Sequence, residues 1–535
     1  MWLRNLLFIG IVLAGIAGLL GGITLVKFPA RVEAAALGES LPPEYQSVVQ
    51  AIDEIFRREW AAAKLAPAPR APELRIARRL ALALCGTVPA LEEIRRLEAD
   101  RPTRWQQAWL DRTFRDRRFA DYFAERLARV YVGTEAGPFL VFRRHRLVSW
   151  LSDQLLLNRP YDEIVRELIA GEGLWTDRPA TNFITVTVDP EKKDPNPERL
   201  ASRVARAFLG GRLDCAQCHD HPFQPWKQAD FQGLAAYFGQ VHPGLTGVHD
   251  GGGEFEAARG KTGTPKVIEP HVPFHPEMVP DDGNRRQQLA RWVTDSRNPA
   301  LARATVNRIW GLLFGKPLVE PVDDLQSAGQ LPKVLELLAN DFATHGYDLQ
   351  RLIRILAETE VFQLDSAGDP EPTIAHEKAW AAFPLTRLRP EQVAGALLQT
   401  ASLETIDRNS HLLVRVFNII GENEFVKRYG DAGEDEFESR AGTIPQRLLL
   451  MNGDLASAMT EGGLFTAAFR ISLLAPDDKS AVDTAYLTVL TRRPTGEEAA
   501  HFEAALGATS GNERRQRMSD LFWTLLNSTE FSWNH

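Results

Sequence analysis

The stretch YQSVVQAIDEIFRREWAAAK, residues 45–64, sets Val48, Ile52, Ile55 and Phe56 on a single face at helical spacing, the recurrence expected of an amphipathic α-helix. The same period returns over Leu74 to Leu84, Val141 to Leu157, Glu198 to Phe208, Leu301 to Phe314, Val334 to Ala343 and Met518 to Leu526. The fold is therefore expected to be mainly α. Residues 182–188, Asn-Phe-Ile-Thr-Val-Thr-Val, form the exception. Their β-branched content predicts a minor β segment, as a small hairpin or an edge strand. Thr495 followed by Glu498 has the spacing of a capping box, and Pro390 suits the first turn of a helix.

A chain of 535 residues exceeds one ordinary domain of roughly 100 to 200 residues. From Pro243 to Gly283 the helical period fails, and Gly251-Gly252-Gly253 and prolines 265, 270, 273, 276 and 280 crowd the stretch. The expected organisation is an N-terminal anchor or signal over 1–27 and a helical domain over 44–243. An irregular Gly/Pro-rich linker over 244–286 and a second helical domain over 287–535 follow. A net charge of -8 excludes nucleic acid as the main partner, because neutralising phosphates needs a basic surface. Three cysteines are too few for a disulfide scaffold. Cys85, in an apolar run, reads as a small buried thiol.

Asn5 to Val26 is free of charge for 22 residues, which as a helix spans about 33 Å and suffices to cross a bilayer. The length favours a retained anchor, with cleavage after Ala34 to Ala36 as the alternative. The expected location is an inner-membrane anchor with the body in the periplasm or at the cell surface. Gly10, Ala14, Gly18 and Gly22 recur every four residues, which allows a homodimer through close helix approach, although such residues are common in any apolar span.

Cys215-Ala216-Gln217-Cys218-His219 carries the chemistry. On one helical turn its two thiols and its imidazole project to the same side. Covalent c-type haem needs that arrangement: a thiol for each vinyl group and a histidine for the iron. Pro222 ends the helix near Asp220 or His221. Two other readings stand beside haem c: a zinc or iron site built from Cys215, Cys218 and His219 or His221, and a redox or structural CxxC pair. Met278, His275, His271, His249 and His242 are the candidate further axial ligands, with Met278 preferred. Phe223, Trp226, Phe231, Tyr237 and Phe238 follow the motif and read more readily as core than as a cofactor wall.

Other chemistry is weaker. Gly260-Lys261-Thr262 mimics the end of a phosphate-binding loop, but Phe255 stands where the first glycine is required. Glu434, Asp435, Glu436 and Glu438 do not fit a calcium loop. Glu320, Asp323 and Asp324 read as caps or arginine partners. No serine or cysteine nucleophile signature is present, and no enzymatic activity is assigned.

Phe208-Leu209-Gly210, the run Cys-Ala-Gln-Cys-His-Asp-His-Pro-Phe over 215–223, Pro225-Trp226 and Gly233-Leu234-Ala235-Ala236 together resemble the planctomycete cytochrome c-like domain. The second half is similar to its usual companion, the planctomycete surface-type domain. That likeness rests on Val306-Asn307-Arg308-Ile309-Trp310, Leu313-Phe314-Gly315, Leu318 to Asp324, Met451-Asn452-Gly453 and Leu526 to Phe531. The resemblance implies an exported, cell-surface or periplasmic protein that accompanies sulfatase-like proteins, and names no reaction. Glu424 to Arg440 departs from it, being acidic where relatives often carry cysteines.

Overall fold

The computed structural model describes residues 43–100, 104–134, 137–189, 191–257, 265–406, 424–430, 437, 442–460 and 466–535. The apolar run Asn5 to Val26, the Gly260-Lys261-Thr262 triplet and the acidic residues 434–436 and 438 lie outside them. Among the described residues no helix is long and apolar enough to cross a membrane.

The fold is mainly helical. Helices Pro43–Ala63, Glu73–Cys85, Arg144–Leu156, Ala300–Phe314, Lys333–Thr344 and Gly511–Leu526 stand where the apolar period places them. Pro390 is the first residue of helix Pro390–Thr400. Thr495 caps helix Gly496–Leu506: the Glu498 amide donates to Thr495 Oγ1 at 3.3 Å, and the Thr495 amide donates to Glu498 Oε2 at 2.7 Å. Thr495→Ala is expected to lower the unfolding free energy by about 1 kcal/mol in urea denaturation, since it orphans a first-turn amide.

Residues 182–187 are not β, and Val188 makes only an isolated antiparallel bridge to Pro195. Asn182–Thr185 is a short helix continuing from a 3-10 turn at Pro179–Thr181. The Asn182 amide nitrogen donates to the carbonyls of Trp175 and Pro179, and its oxygen accepts from the Arg143 amide. Every residue from Ala180 to Val188 is buried, so no face alternates with solvent and β-propensity has no half-exposed surface to act on. The described strands form three two-stranded antiparallel ladders. These are Val241–Gly244 with Gly247–Asp250, Glu256–Ala257 with Lys266–Val267, and Thr386–Arg387 with Trp533–Asn534.

Two apolar cores organise the molecule. The first draws on residues from Val49 to Phe383, the second on Leu82, Val88 and residues from Leu388 to Phe531. The Gly/Pro-rich stretch runs against the first, contributing Val248, Phe255 and Val272. Buried Arg286 ties that stretch down, gripping Asp250 at 2.7 Å and donating to the carbonyls of Ile169 and Gly171. Trp310, stacked on Phe314 at 4.2 Å and edge-on to Trp380, is fully buried in the first core.

Helix Glu73–Cys85 lies between the cores, and two adjacent buried arginines face opposite ways from it. Arg79 donates to the carbonyls of Phe362 and Leu364 and lies 3.6 Å over the Phe383 ring. Arg78 donates to the carbonyls of Val489 and Phe531. Buried charges persist where such acceptors replace water. A buried ion cluster makes a second junction: Glu391 Oε1 meets Arg126 at 2.6 Å and Arg389 at 3.1 Å, and Arg389 donates to the Tyr122 hydroxyl at 2.7 Å.

Candidate functional site

The Cys215 loop hangs from helix Pro197–Val204, which starts at an Asn196 cap and widens into a π-helical turn over Ala205–Leu209. Gly210 stops it at φ +60, a left-handed conformation that glycine adopts without strain. A Cβ on Gly210 would come within 2.9 Å of Leu325 Cδ1, and the Gly210 carbonyl accepts from the Leu325 amide at 2.8 Å. The second half of the chain therefore touches the root of the loop.

Asp214–Gln217 is a 3-10 turn, and Ala216 is its buried anchor. Residues three apart eclipse one another in such a turn. Cys215 and Cys218 are both free and exposed. The α-turn through His219 on which the haem expectation rested is not formed, and the chain does not continue as a helix beyond it. The Cys218 carbonyl would need the amide of residue 222, which is a proline without an N–H. The Gln217 carbonyl would need the His221 amide, which donates instead to the Trp226 carbonyl at 2.8 Å. The Gln228 side chain takes over both acceptors, at 3.2 Å from Gln217 O and 3.1 Å from Cys218 O. Asp220 Oδ1 accepts from the Gln228 amide at 2.9 Å, fastening the loop to helix Gln228–Ala236.

The two histidines of the motif differ in what their rings can do. His219 is exposed, and its Nδ1 lies 2.8 Å from the Asp220 carbonyl. A carbonyl only accepts, so Nδ1 carries the proton and Nε2 keeps its lone pair for a metal. His221 is the reverse: its Nδ1 accepts from the amides of Phe223 at 3.2 Å and Gln224 at 3.0 Å. The neutral ring then bears its proton on Nε2, leaving no lone pair to offer. Hydrogen bonding thus separates the two histidines that the zinc or iron reading leaves interchangeable.

A clamp from the second half holds the base of the loop. Asp323 pairs with Arg212 at 2.8 Å and lies 3.9 Å from Arg206, which itself grips Asp214 at 2.7 Å. Asp324 accepts from Gln224 Nε2 at 2.9 Å. Asn307 shapes the acidic segment by bonding both the amide and the carbonyl of Val319, and Arg308 donates to the Ala207 carbonyl at 3.1 Å inside the π-turn. The expected arginine pairing is met by Asp323, whereas Asp324 takes the Gln224 side-chain amide. Which arginine Asp323 chooses was not legible in the sequence.

The other candidates are dispersed. Trp226, Phe231, Tyr237 and Phe238 are core residues, whereas Phe223 is 92% exposed beside the motif. Met278 is half-buried and packed against the first core. His275 Nδ1 lies 3.2 Å from Glu277, His249 Nδ1 lies 3.1 Å from the Gly247 carbonyl, and the His271 ring lies close over Gly233. Among the described residues no three His, Cys, Asp or Glu side chains are grouped to hold a metal ion.

His242 is held at both nitrogens, by Asp194 Oδ1 at 3.0 Å and the Gly252 carbonyl at 2.9 Å. The bond to Asp194, then that to Gly252, raises its pKa above the ordinary 6.5. The resulting stabilisation is complete below that ordinary value and fades as pH rises through the folded-state pKa. An NMR titration should find His242 titrating above 6.5, and Asp194→Asn should bring it down. An unchanged titration in the variant would refute the assignment.

Two families match the chain. PSCyt2, described as a protein of unknown function (DUF1549), matches residues 51–243, and PSD1, described as a protein of unknown function (DUF1553), matches residues 285–506. The chain carries the planctomycete-type PSCyt2–PSD1 pair. No curated protein and no solved structure matches it. The cysteine motif lies in the PSCyt2 domain, while Asn307, Arg308, Asp323 and Asp324 belong to the PSD1 domain. The clamp on the loop thus joins one domain of the pair to the other, and the first apolar core likewise takes residues from both.

Proposed function

We propose that this protein is an exported, membrane-anchored, cytochrome-like carrier of one covalent c-type haem that exchanges electrons with an exported redox partner. Cys215 and Cys218 would hold the group by thioether bonds, and Nε2 of His219 would coordinate its iron. The observation that carries this reading is the hydrogen bond from His219 Nδ1 to the Asp220 carbonyl at 2.8 Å. It leaves Nε2 in the acceptor state beside two exposed, unpaired thiols. A bound haem supplies a one-electron couple.

The remaining contributions come from the chain itself. Gln228, Asp220 and the Asp323–Arg212 pair keep the loop in one conformation without closing over it. Exposure of Cys215, Cys218 and His219 would give a partner protein access to the group. The apolar run Asn5 to Val26 supports the membrane anchor. A zinc or iron site is less well supported. Closed tetrahedral sites need four donors, His221 presents its Nε2 as a donor, and no third ligand group is assembled among the described residues.

Production of the full chain in an envelope with a working cytochrome c maturation system tests the proposal. A Soret band that survives acid extraction is the expected result. Stoichiometric zinc or iron with no Soret band would overturn it.

A further inference from the structure

A second site stands apart from the cysteine motif. A cavity of about 830 Å³ opens where the Thr386–Arg387 and Trp533–Asn534 ladder meets the chain segments around Lys316, Tyr429 and Arg447. Its wall mixes leucines with hydroxyl and amide side chains, and its volume falls in the range of roughly 300–1,000 Å³ typical of small-molecule sites. None of Cys215, Cys218, His219 and His221 lines it.

Its charges are unbalanced in an informative way. Arg389, already paired with Glu391, lines it together with three further cations, Lys316, Arg387 and Arg447. The Arg387 guanidinium lies against Gly442 and donates to Gln446 Oε1 at 3.3 Å, while Arg447 donates to the Asn527 carbonyl. Both acceptors are neutral, and among the described residues no carboxylate pairs with any of the three cations. Glu320 and Glu377 also line the cavity without forming such a pair. Burial raises the pKa of the Tyr429 phenol, and Arg387 and Arg447 pull it back, so both guanidinium groups act on the same hydroxyl. Two like charges sharing a partly enclosed space repel each other, and an anion between them would turn that cost into attraction.

Behind the wall two further polar atoms lack a protein partner, both shielded from the open space of the cavity. Ser532 and Asn534 are 4% and 6% exposed, and Ser532 Oγ and Asn534 Oδ1 have no hydrogen-bond partner. Buried polar atoms are normally satisfied. Both residues line the same cavity.

We propose that this cavity binds a small organic anion, its oxyanion group held between Arg387 and Arg447 and its body against the mixed wall. Guanidinium groups suit the bidentate recognition of carboxylate, sulfate or phosphate oxygens. A lone inorganic ion would leave most of the volume unfilled. The site is independent of haem attachment.

Isothermal titration of the full chain with D-glucuronate, citrate, inorganic phosphate and neutral glucose tests the idea. Saturable binding of glucuronate or citrate, with none of glucose, is expected. Arg387→Gln and Arg447→Gln should each weaken it by about ten-fold or more, as for loss of a charged hydrogen bond. Circular dichroism verifies folding, and Arg447→Lys, which keeps the charge, should recover part of the affinity. Absence of saturable binding by either organic anion overturns the proposal, as does binding of phosphate alone. Binding that survives both glutamine variants also overturns it.

Discussion

Glu391→Gln is expected to lower the unfolding free energy by about 3–5 kcal/mol, the cost of stranding buried charge when one partner of an ion cluster is removed. Glu391 Oε1 lies 2.6 Å from Arg126 and 3.1 Å from Arg389, and side-chain exposures at the cluster are 2% for Arg126 and 9% for Glu391 and Arg389. Glutamine keeps the shape and loses the charge, so two guanidinium groups would face each other across a neutral amide. The cluster joins helix Arg117–Val132 to helix Pro390–Thr400, so its loss should loosen the PSCyt2 domain against the PSD1 domain.

The pH dependence follows from the same geometry. Burial alone would raise the Glu391 carboxyl, but Arg126 and then Arg389 outweigh burial and hold it below its ordinary 4.5. The stabilisation is therefore present above the unfolded value and is lost as pH falls through the lower, folded one. Urea denaturation of the variant and the parent from neutral to acidic pH checks both points. The gap between them should narrow on acidification. A stability loss below about 1 kcal/mol at neutral pH, the scale of an exposed ion pair, would show that the cluster is not the junction described.

The second large effect tests the proposed haem. Cys215→Ala with Cys218→Ala should abolish covalent haem completely while changing stability by no more than about 0.5 kcal/mol, because both thiols are exposed. His219→Ala should leave haem attached with a shifted Soret band, since in the proposed site its exposed ring would contribute ligation and little packing. His221→Ala should behave in the opposite way. It withdraws the acceptor from two loop amides, costing about 1–2 kcal/mol by the ordinary worth of hydrogen bonds, and should leave the spectrum of attached haem unchanged. Acid extraction, absorbance spectra and denaturation curves on the three variants separate these outcomes. A spectrum that responds to His221→Ala and ignores His219→Ala would reverse the assigned roles.

Most of what was legible in the sequence was local. The helix at 300–314 follows from its apolar period, the Thr495 cap from a spacing of three residues, and the donor set of the motif from five consecutive letters. Pro222 announced a helix end, and the end comes earlier, at the 3-10 turn Asp214–Gln217, where Gln228 takes the carbonyls of Gln217 and Cys218. For Asn182–Thr185 local preference pointed to a strand, and complete burial with three hydrogen bonds to Asn182 made it a helix.

The sequence by itself determined the helical class, the caps and the identity of the two thiols and the imidazole, because each depends on neighbours within a turn or two. Tertiary structure alone decided that Asp323 seeks Arg212 across 111 residues of chain and that Arg387 and Arg447 share a cavity. No local period records which distant carbonyl, carboxylate or amide will meet a side chain once the cores have packed.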